Sequence, residues 1–241
     1  MDFPLSISFD EVFSQLALSN PEEKPISPRK VLFRGVRTGE IASYVAAWLA
    51  GKGIEVIVLD GANRFNPYTA SSFARKACIP PERLLKRIHI ARAFTCYQMA
   101  VMIVEKLPSL LITGSQKPWI ILLGPITTFL DEDVPEGEVR PLFEKSLKKI
   151  EEMALRGIPF LLFQSDSFSN STFPFPPKGR MGELRNSKRT YLMKRLFQFT
   201  NEIWRINLDD EGPKIILEKK VGLNIIENCK LPGCLADRQI L

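Results

Sequence analysis

The chain alternates short, continuous apolar segments with segments of helical character, and this alternation limits the fold more than any other feature. Trp119–Leu123 and residues 158–163 are almost wholly apolar, which is typical of strands that are buried on both faces. The segments 40–50, 68–77 and 140–156 are predicted to be helices. Strands of this kind separated by helices form a mainly parallel, twisted sheet with helices on both faces. The sequence therefore predicts an α/β fold.

The C-terminal part of the chain departs from this alternation. Two strand-like segments, 202–208 and 214–220, flank a turn at 209–213, which predicts an antiparallel hairpin at the end of the sheet. We divide the chain into an N-terminal extension, a core and a C-terminal tail, at residues 1–28, 29–226 and 227–241.

Composition excludes several classes of protein. The 33 basic and 27 acidic residues give a net charge of +6, which permits an anionic partner without requiring one. No apolar run reaches the roughly 18 residues that a membrane helix needs, and the first residues lack the pattern of a signal peptide. Four scattered cysteines do not suggest a disulfide framework, and the single histidine, His89, leaves little for a zinc site. We expect a cytoplasmic protein with reduced thiols, no metal and His89 in the core.

The first strand–turn–helix unit is the place where many α/β proteins bind phosphate. The pattern of a phosphate-binding loop is G-x-x-x-x-G-K-[ST]. In residues 34–41, Gly39 matches the second glycine of this pattern. Arg34 replaces the first glycine, Glu40 the lysine and Ile41 the Ser/Thr hydroxyl. The turn alone is therefore a poor match.

Five segments in order give this poor match more weight: 37–39, 60–67, 90–94 with Gln98, 119–124 and 161–164. Together they resemble the ATPase core of the RadA/RecA-type strand-exchange recombinases, closest to the archaeal and eukaryotic branch. The resemblance covers about residues 30–220, and its most specific part is Ala-Arg-Ala-Phe at 91–94. It implies a RecA-like P-loop NTPase core.

The same resemblance places non-functional residues at most of the catalytic positions. Glu40 stands where the family has the phosphate-binding lysine, and Ile41 where it has the Mg²⁺-binding hydroxyl. Ala62 replaces the glutamate that activates water, and Gly124 replaces the aspartate at the end of the Walker B strand. Only Gln164 matches the family. The implied degenerate nucleotide site consists of Arg34, Gly35, Arg37, Thr38, Gly39, Glu40, Ile41, Ala62, Gly124 and Gln164.

Electrostatics support the prediction of a pseudo-ATPase without a catalytic residue or cofactor. Two unit charges about 4 Å apart interact by roughly 4 kcal/mol at an effective dielectric constant near 20. An acid in place of a lysine therefore disfavours a triphosphate by several kcal/mol. The alternative is an ATPase with displaced residues. In that case Lys30, Arg34 or Arg37 binds the phosphates and Asp60 acts in Walker B fashion.

A basic segment follows Gln164. Residues 165–195 contain seven basic and two acidic residues, a net charge of +5, with four aromatic residues among them. Cations can follow a phosphate backbone while aromatic rings stack on bases. The predicted contacts to single-stranded DNA are Lys178, Arg180, Arg185, Lys188 and Arg189. The alternative is a surface loop at 165–190 with incidental charge, whose phenylalanines pack on the core.

A second loop, after Trp119–Leu123, holds acids instead. Asp131, Glu132, Asp133, Glu136 and Glu138 make it a poor surface for phosphates. This departs from the family, in which both loops contact DNA.

These observations favour a non-hydrolysing recombinase paralog that assists DNA repair or recombination. It would bind single-stranded DNA, dock on a recombinase or another RecA-like paralog as a homo- or hetero-oligomer, or do both. The first alternative is a structural subunit of a hetero-oligomer without DNA contact. The second is a residual RecA- or KaiC-like ATPase.

Overall fold

A computed structural model describes residues 30–113, 117–166, 189–209 and 212–220. The predicted extension at 1–28 and tail at 227–241 lie outside these residues, as do Lys178, Arg180, Arg185 and Lys188. The strands are β1 Lys30–Gly35, β2 Val56–Asp60, β3 Ile88–Arg92, β4 Trp119–Leu123, β5 Phe160–Ser165, β6 Glu202–Asp209 and β7 Gly212–Lys220. The α-helices are α1 Thr38–Gly51, α2 Pro67–Lys76, α3 Pro81–Leu85, α4 Cys96–Val101, α5 Leu107–Thr113, α6 Glu136–Leu155 and α7 Thr190–Phe199.

The seven strands form one mixed sheet in the order β3-β2-β4-β5-β1-β6-β7. Every neighbouring pair from β3 to β6 is parallel, and only β6 and β7 are antiparallel. The predicted α/β architecture with a mainly parallel sheet and a C-terminal antiparallel hairpin is confirmed. Within the described ranges, no helix combines the length and apolar character that crossing a bilayer requires.

Both faces of the sheet are covered, which explains why the central strands are apolar throughout. Alternate residues of β4 belong to different core clusters: Ile121 packs on a first face with α1, α2 and α3, and Leu122 on a second face. The second face is covered by α4, α6 and α7. Because successive side chains of a strand point to opposite faces, a strand covered on both sides needs an apolar residue at every position.

The longest helix differs from its predicted limits. The helix predicted at 140–156 begins at Glu136, so the acidic loop is shorter than predicted. Glu136 and Glu138 lie in the first turn of α6, where carboxylates interact favourably with the helix dipole.

Between α4 and α5 the chain passes through a π-helical turn, Met102–Lys106. Pro108 follows it and has no N–H to continue the α-helical hydrogen bonds.

The prediction of a core position for His89 is wrong. Its side chain is 63% exposed, and its Nε2 lies 3.3 Å from Oε2 of Glu55. The reason is topological, because β3 is an edge strand and the side chain of His89 is not covered there.

Candidate functional site

The candidate site lies at the carboxyl ends of β1, β2, β4 and β5. In an open α/β sheet, ligands bind where helices after neighbouring strands leave on opposite faces. This condition holds for β2 and β4, since α2 packs on the first face and α6 on the second. It also holds for β1 and β5, which are followed by α1 and α7. The positions of the predicted degenerate nucleotide site lie at or beside these strand ends.

The turn after β1 is too short to surround a phosphate. A phosphate-binding loop wraps several backbone N–H groups around its ligand, but here Arg34 and Gly35 still belong to β1 and only Val36 and Arg37 precede α1. Arg37 has a positive φ of 54°. Gly35 is also confined, because a β-carbon on it would lie 2.0 Å from the carbonyl oxygen of Ile206. The sequence predicted a degenerate loop, and the structure has a tight two-residue connection.

The charges of Arg37 and Glu40 at the start of α1 compensate each other. Nη2 of Arg37 donates to Oε2 of Glu40 at 2.7 Å, and both side chains are about two-fifths exposed. The Glu40 carboxylate also interacts favourably with the positive end of the helix dipole. Ile41 packs against the core of the first face, and Thr38 is buried. An approaching anion therefore meets an arginine that already has a carboxylate partner.

The loop after β2 is organised around a buried carboxylate, that of Asp60. Oδ1 accepts hydrogen bonds from the backbone N–H groups of Ala62 at 3.2 Å and Arg64 at 3.1 Å. Oδ2 accepts one from Phe65 N–H at 2.9 Å and lies 3.8 Å from Nε of Arg92. The residue is fully buried. Both oxygens of Asp60 are therefore engaged by its own loop, whereas a Walker B acid presents an oxygen to Mg²⁺ or its water.

The two positions at which the resemblance implies catalytic acids hold small residues, Gly124 and Ala62, that approach each other closely. A β-carbon on Gly124 would lie 2.7 Å from Cβ of Ala62 and 2.5 Å from Oγ1 of Thr127. Gly124 has a φ of 67°, a conformation that side chains with a β-carbon rarely adopt. Its N–H donates to the carbonyl of Phe163 at 2.8 Å, which fixes the end of β4 against β5. There is no space for a β-carbon at Gly124 unless its neighbours move.

Packing continues from this contact to α1. A β-carbon on Gly39 would lie 2.7 Å from Cβ of Arg64, so the first turn of α1 and the loop after β2 are in direct contact. The hydroxyl of Ser43 ties the same two segments, since it donates to the carbonyl of Gly39 at 2.7 Å and accepts from Asn66 N–H at 2.9 Å. These contacts join residues that follow the carboxyl ends of β1, β2 and β4. We call them the closed carboxyl edge, which consists of Gly39, Ser43, Ala62, Arg64, Asn66 and Gly124.

Gln164, the one residue that matches the family pattern, is buried and forms hydrogen bonds within the protein. It is 1% exposed, and its Oε1 accepts from Ile126 N–H at 3.3 Å. Its Nε2 donates to the carbonyl of Ser165 at 3.3 Å. The side chain thus links the end of β5 to the turn after β4.

Each cation of the displaced-ATPase alternative has an acidic neighbour. Nε of Arg34 lies 2.9 Å from Oε2 of Glu218, and its guanidinium stacks over the Phe197 ring. Lys30 is buried and pairs with Glu151. With Arg37 bound to Glu40, all three cations of the displaced-ATPase alternative are committed to carboxylates within the chain.

Arg189 lies in the protein interior, contrary to its predicted role as a DNA contact. It is 6% exposed. Its Nη1 donates to the carbonyl of Phe129 at 2.9 Å and to that of Asp131, and its Nη2 donates to the carbonyl of Val134. Nε lies 3.3 Å from Oε2 of Glu136. Charge in the sequence could not reveal this, because a buried and an exposed arginine contribute equally to a net charge.

Two tyrosines next to the acidic start of α6 have raised pKa values. Burial, followed by the Glu136 carboxylate, raises the pKa of Tyr191 to about 12. A hydrogen bond to Glu138 raises the pKa of the exposed Tyr97 to about 12. Both phenols therefore stay neutral at physiological pH. Tyr191 is half-buried and packs on the second face, so its ring is not freely presented to a nucleic acid base.

Comparisons with known proteins add no family to this description. No protein-family model matches the chain, and no curated protein matches it. Among the residues that the structure describes, no group of three or more His, Cys, Asp or Glu side chains could hold a metal ion.

Proposed function

We propose that the chain is a non-hydrolysing recombinase paralog, a RecA-like core without ATPase chemistry that assists DNA repair or recombination. It binds single-stranded DNA, docks on a recombinase, or does both. The observation that carries the proposal is the contact between Gly124 and Ala62, because it fills the place where the resemblance puts the metal-binding and water-activating acids. The mainly parallel sheet with its antiparallel hairpin is compatible with the same resemblance.

Loss of the lysine and loss of space act together against a nucleotide. Phosphoryl transfer depends on a metal, a cation on the phosphates and a positioned water. At the closed carboxyl edge the phosphate position carries Glu40, and the Asp60 carboxylate is held by backbone N–H groups of its own loop. Each replacement removes a different requirement of the reaction, so reversal of one of them does not restore turnover.

The DNA-binding part of the proposal depends on residues 167–188. The described chain enters this segment after Asp166, next to the end of β5, and leaves it at Arg189. Arg189 is buried and Arg195 pairs with Glu144 at 2.8 Å, so neither counts toward a free basic surface. The proposed contacts are then Lys178, Arg180, Arg185 and Lys188.

A calorimetric titration with ATP and Mg²⁺ tests the pseudo-ATPase. We expect binding weaker than about 1 mM. The double variant Glu40→Lys/Ile41→Thr restores the side chains of a phosphate-binding loop, and we expect it to remain as weak because the two-residue turn and the Gly124–Ala62 contact are unchanged. Micromolar, Mg²⁺-dependent affinity of the wild type would overturn the proposal. Such affinity in the variant alone would mean that charge, rather than packing, excludes the nucleotide.

Fluorescence anisotropy with a labelled oligothymidylate tests DNA binding. The triple variant Lys178→Ala/Arg180→Ala/Arg185→Ala should bind at least about tenfold more weakly, and the slope of log K against log salt should fall by roughly 2. A charge-matched control replaces three exposed lysines elsewhere, Lys106, Lys145 and Lys148, with alanine. Equal affinities of the two triple variants would remove the segment from the proposal.

Co-purification from cell extract separates DNA binding from docking. A recombinase that remains bound after nuclease treatment supports direct docking. A wild-type chain that shows neither salt-dependent oligonucleotide binding nor nuclease-resistant recombinase contradicts the proposed function as a whole.

A further inference from the structure

Exposed aromatic side chains are concentrated at one place in the described structure. Tyr68 is 80% exposed, Phe94 67% and Tyr97 43%, and every other described aromatic side chain is buried or half-buried. All three follow the carboxyl ends of β2 and β3. Large apolar surface exposed at one site commonly marks a place of contact with another molecule.

Two exposed arginines precede these rings along the chain. Arg64 belongs to the loop after β2, four residues before Tyr68, and Arg92 ends β3, two residues before Phe94. The arginines are brought together by the fold. Nη2 of Arg92 lies 3.4 Å from the carbonyl oxygen of Phe65, the residue after Arg64, and its Nε lies 3.8 Å from the buried Asp60 carboxylate.

We propose that Arg64, Tyr68, Arg92 and Phe94 form a contact surface for single-stranded nucleic acid, which we call the arginine–aromatic surface. The guanidinium of Arg64 would lie along the phosphate backbone, and the two rings would stack on unpaired bases. Arg92 would hold the loop that carries Arg64, through its contact with the Phe65 carbonyl. A duplex suits this surface less, because its bases already stack on one another. The inference rests on the proposed function and adds a second contact for the same ligand.

The position of the surface fits that role. It lies at the same edge of the sheet from which the basic segment 167–188 leaves β5. The carboxylates close to it are engaged within the protein: Asp60 is buried in its loop, Glu40 pairs with Arg37 and Glu138 accepts the Tyr97 hydroxyl. For this reason Tyr97 is left out of the surface, since a phosphate at its hydroxyl would meet Glu138.

The test is oligonucleotide binding by the variant Arg64→Ala/Tyr68→Ala in the full chain. Both changes are compatible with folding, since alanine keeps the β-carbon that packs on Gly39 and Tyr68 makes little contact. The probe is a labelled oligothymidylate on the order of 20 nucleotides long. We expect affinity to fall at least about tenfold and the salt slope to fall by about 0.7, the contribution of one single-strand phosphate contact.

Matched controls keep the result specific. Arg75→Ala removes another exposed charge, at the opposite end of α2, and Leu155→Ala removes an exposed apolar side chain at the end of α6. Neither should change affinity. Tyr68→Phe should bind like the wild type, because a phenyl ring can still stack.

The outcomes separate this inference from the proposed function. If the wild type binds and the Arg64/Tyr68 variant binds equally well, the arginine–aromatic surface is wrong while DNA binding stands. If the wild type does not bind the oligonucleotide at all, both this inference and the DNA-binding part of the proposed function are overturned.

Discussion

Gly124→Asp should lower the free energy of unfolding by about 3 kcal/mol or more, although it restores the acid that the resemblance places at the end of β4. The new β-carbon would lie 2.5 Å from Thr127 Oγ1 and 2.7 Å from Ala62 Cβ, and the residue would have to adopt a φ of 67°. The carboxylate would also be buried near Asp60, which adds repulsion and a desolvation cost. Urea denaturation followed by tryptophan fluorescence measures the change.

Gly53→Asp is the control for backbone strain alone. Gly53 has a φ of 85°, but no atom of the described residues outside its immediate chain neighbours lies within 4 Å of its β-carbon position. Its replacement should cost only about 1 kcal/mol. A Gly124→Asp protein with the stability of the Gly53→Asp control, or one that binds Mg²⁺ and ATP, would show that the closed carboxyl edge opens easily.

Arg189→Ala should destabilise the protein by about 3 kcal/mol or more, measured by the same denaturation. The guanidinium donates to the carbonyls of Phe129, Asp131 and Val134, which join the end of β4 to the start of α6. Truncation would leave these acceptors without their donor in a buried place. Arg189→Lys should also be costly, because an ammonium on a flexible stem cannot reproduce a planar group that reaches three carbonyls.

Arg195→Ala is the matched control, since Arg195 lies on the following helix and its ion pair with Glu144 is about two-fifths exposed. It should cost less than about 1 kcal/mol. If Arg189→Ala leaves stability unchanged and instead weakens oligonucleotide binding, Arg189 belongs to the DNA contact that the sequence predicted for it.

The architecture was predictable because the rule behind it depends on residue types alone. A strand covered on both faces must be apolar at consecutive positions, and β4 and β5 are. The final hairpin could be predicted for a similar reason, from two strand-like segments around a short turn. The core position of His89 was predicted wrongly because strand order, which makes β3 an edge, is not contained in the local pattern.

The candidate site was predictable only in its charges. Glu40 in place of a lysine indicates an unfavourable environment for phosphate. Residue type does not predict the positive φ of Arg37, the arginine that pairs with Glu40. The contact between Gly124 and Ala62 joins residues more than sixty positions apart. Arg189 was misplaced for a related reason, because net charge counts residues without regard to their burial.

The closed carboxyl edge has a consequence for the lifetime of any complex that this chain joins. In motor proteins, ATP hydrolysis lowers the affinity for the partner and so sets when the partner is released. A subunit of the proposed kind binds no ATP and therefore lacks this release step. Under the proposed function, its residence time on a filament is set by its own dissociation rate or by ATP hydrolysis in neighbouring subunits. It would therefore stabilise the filament without itself driving release.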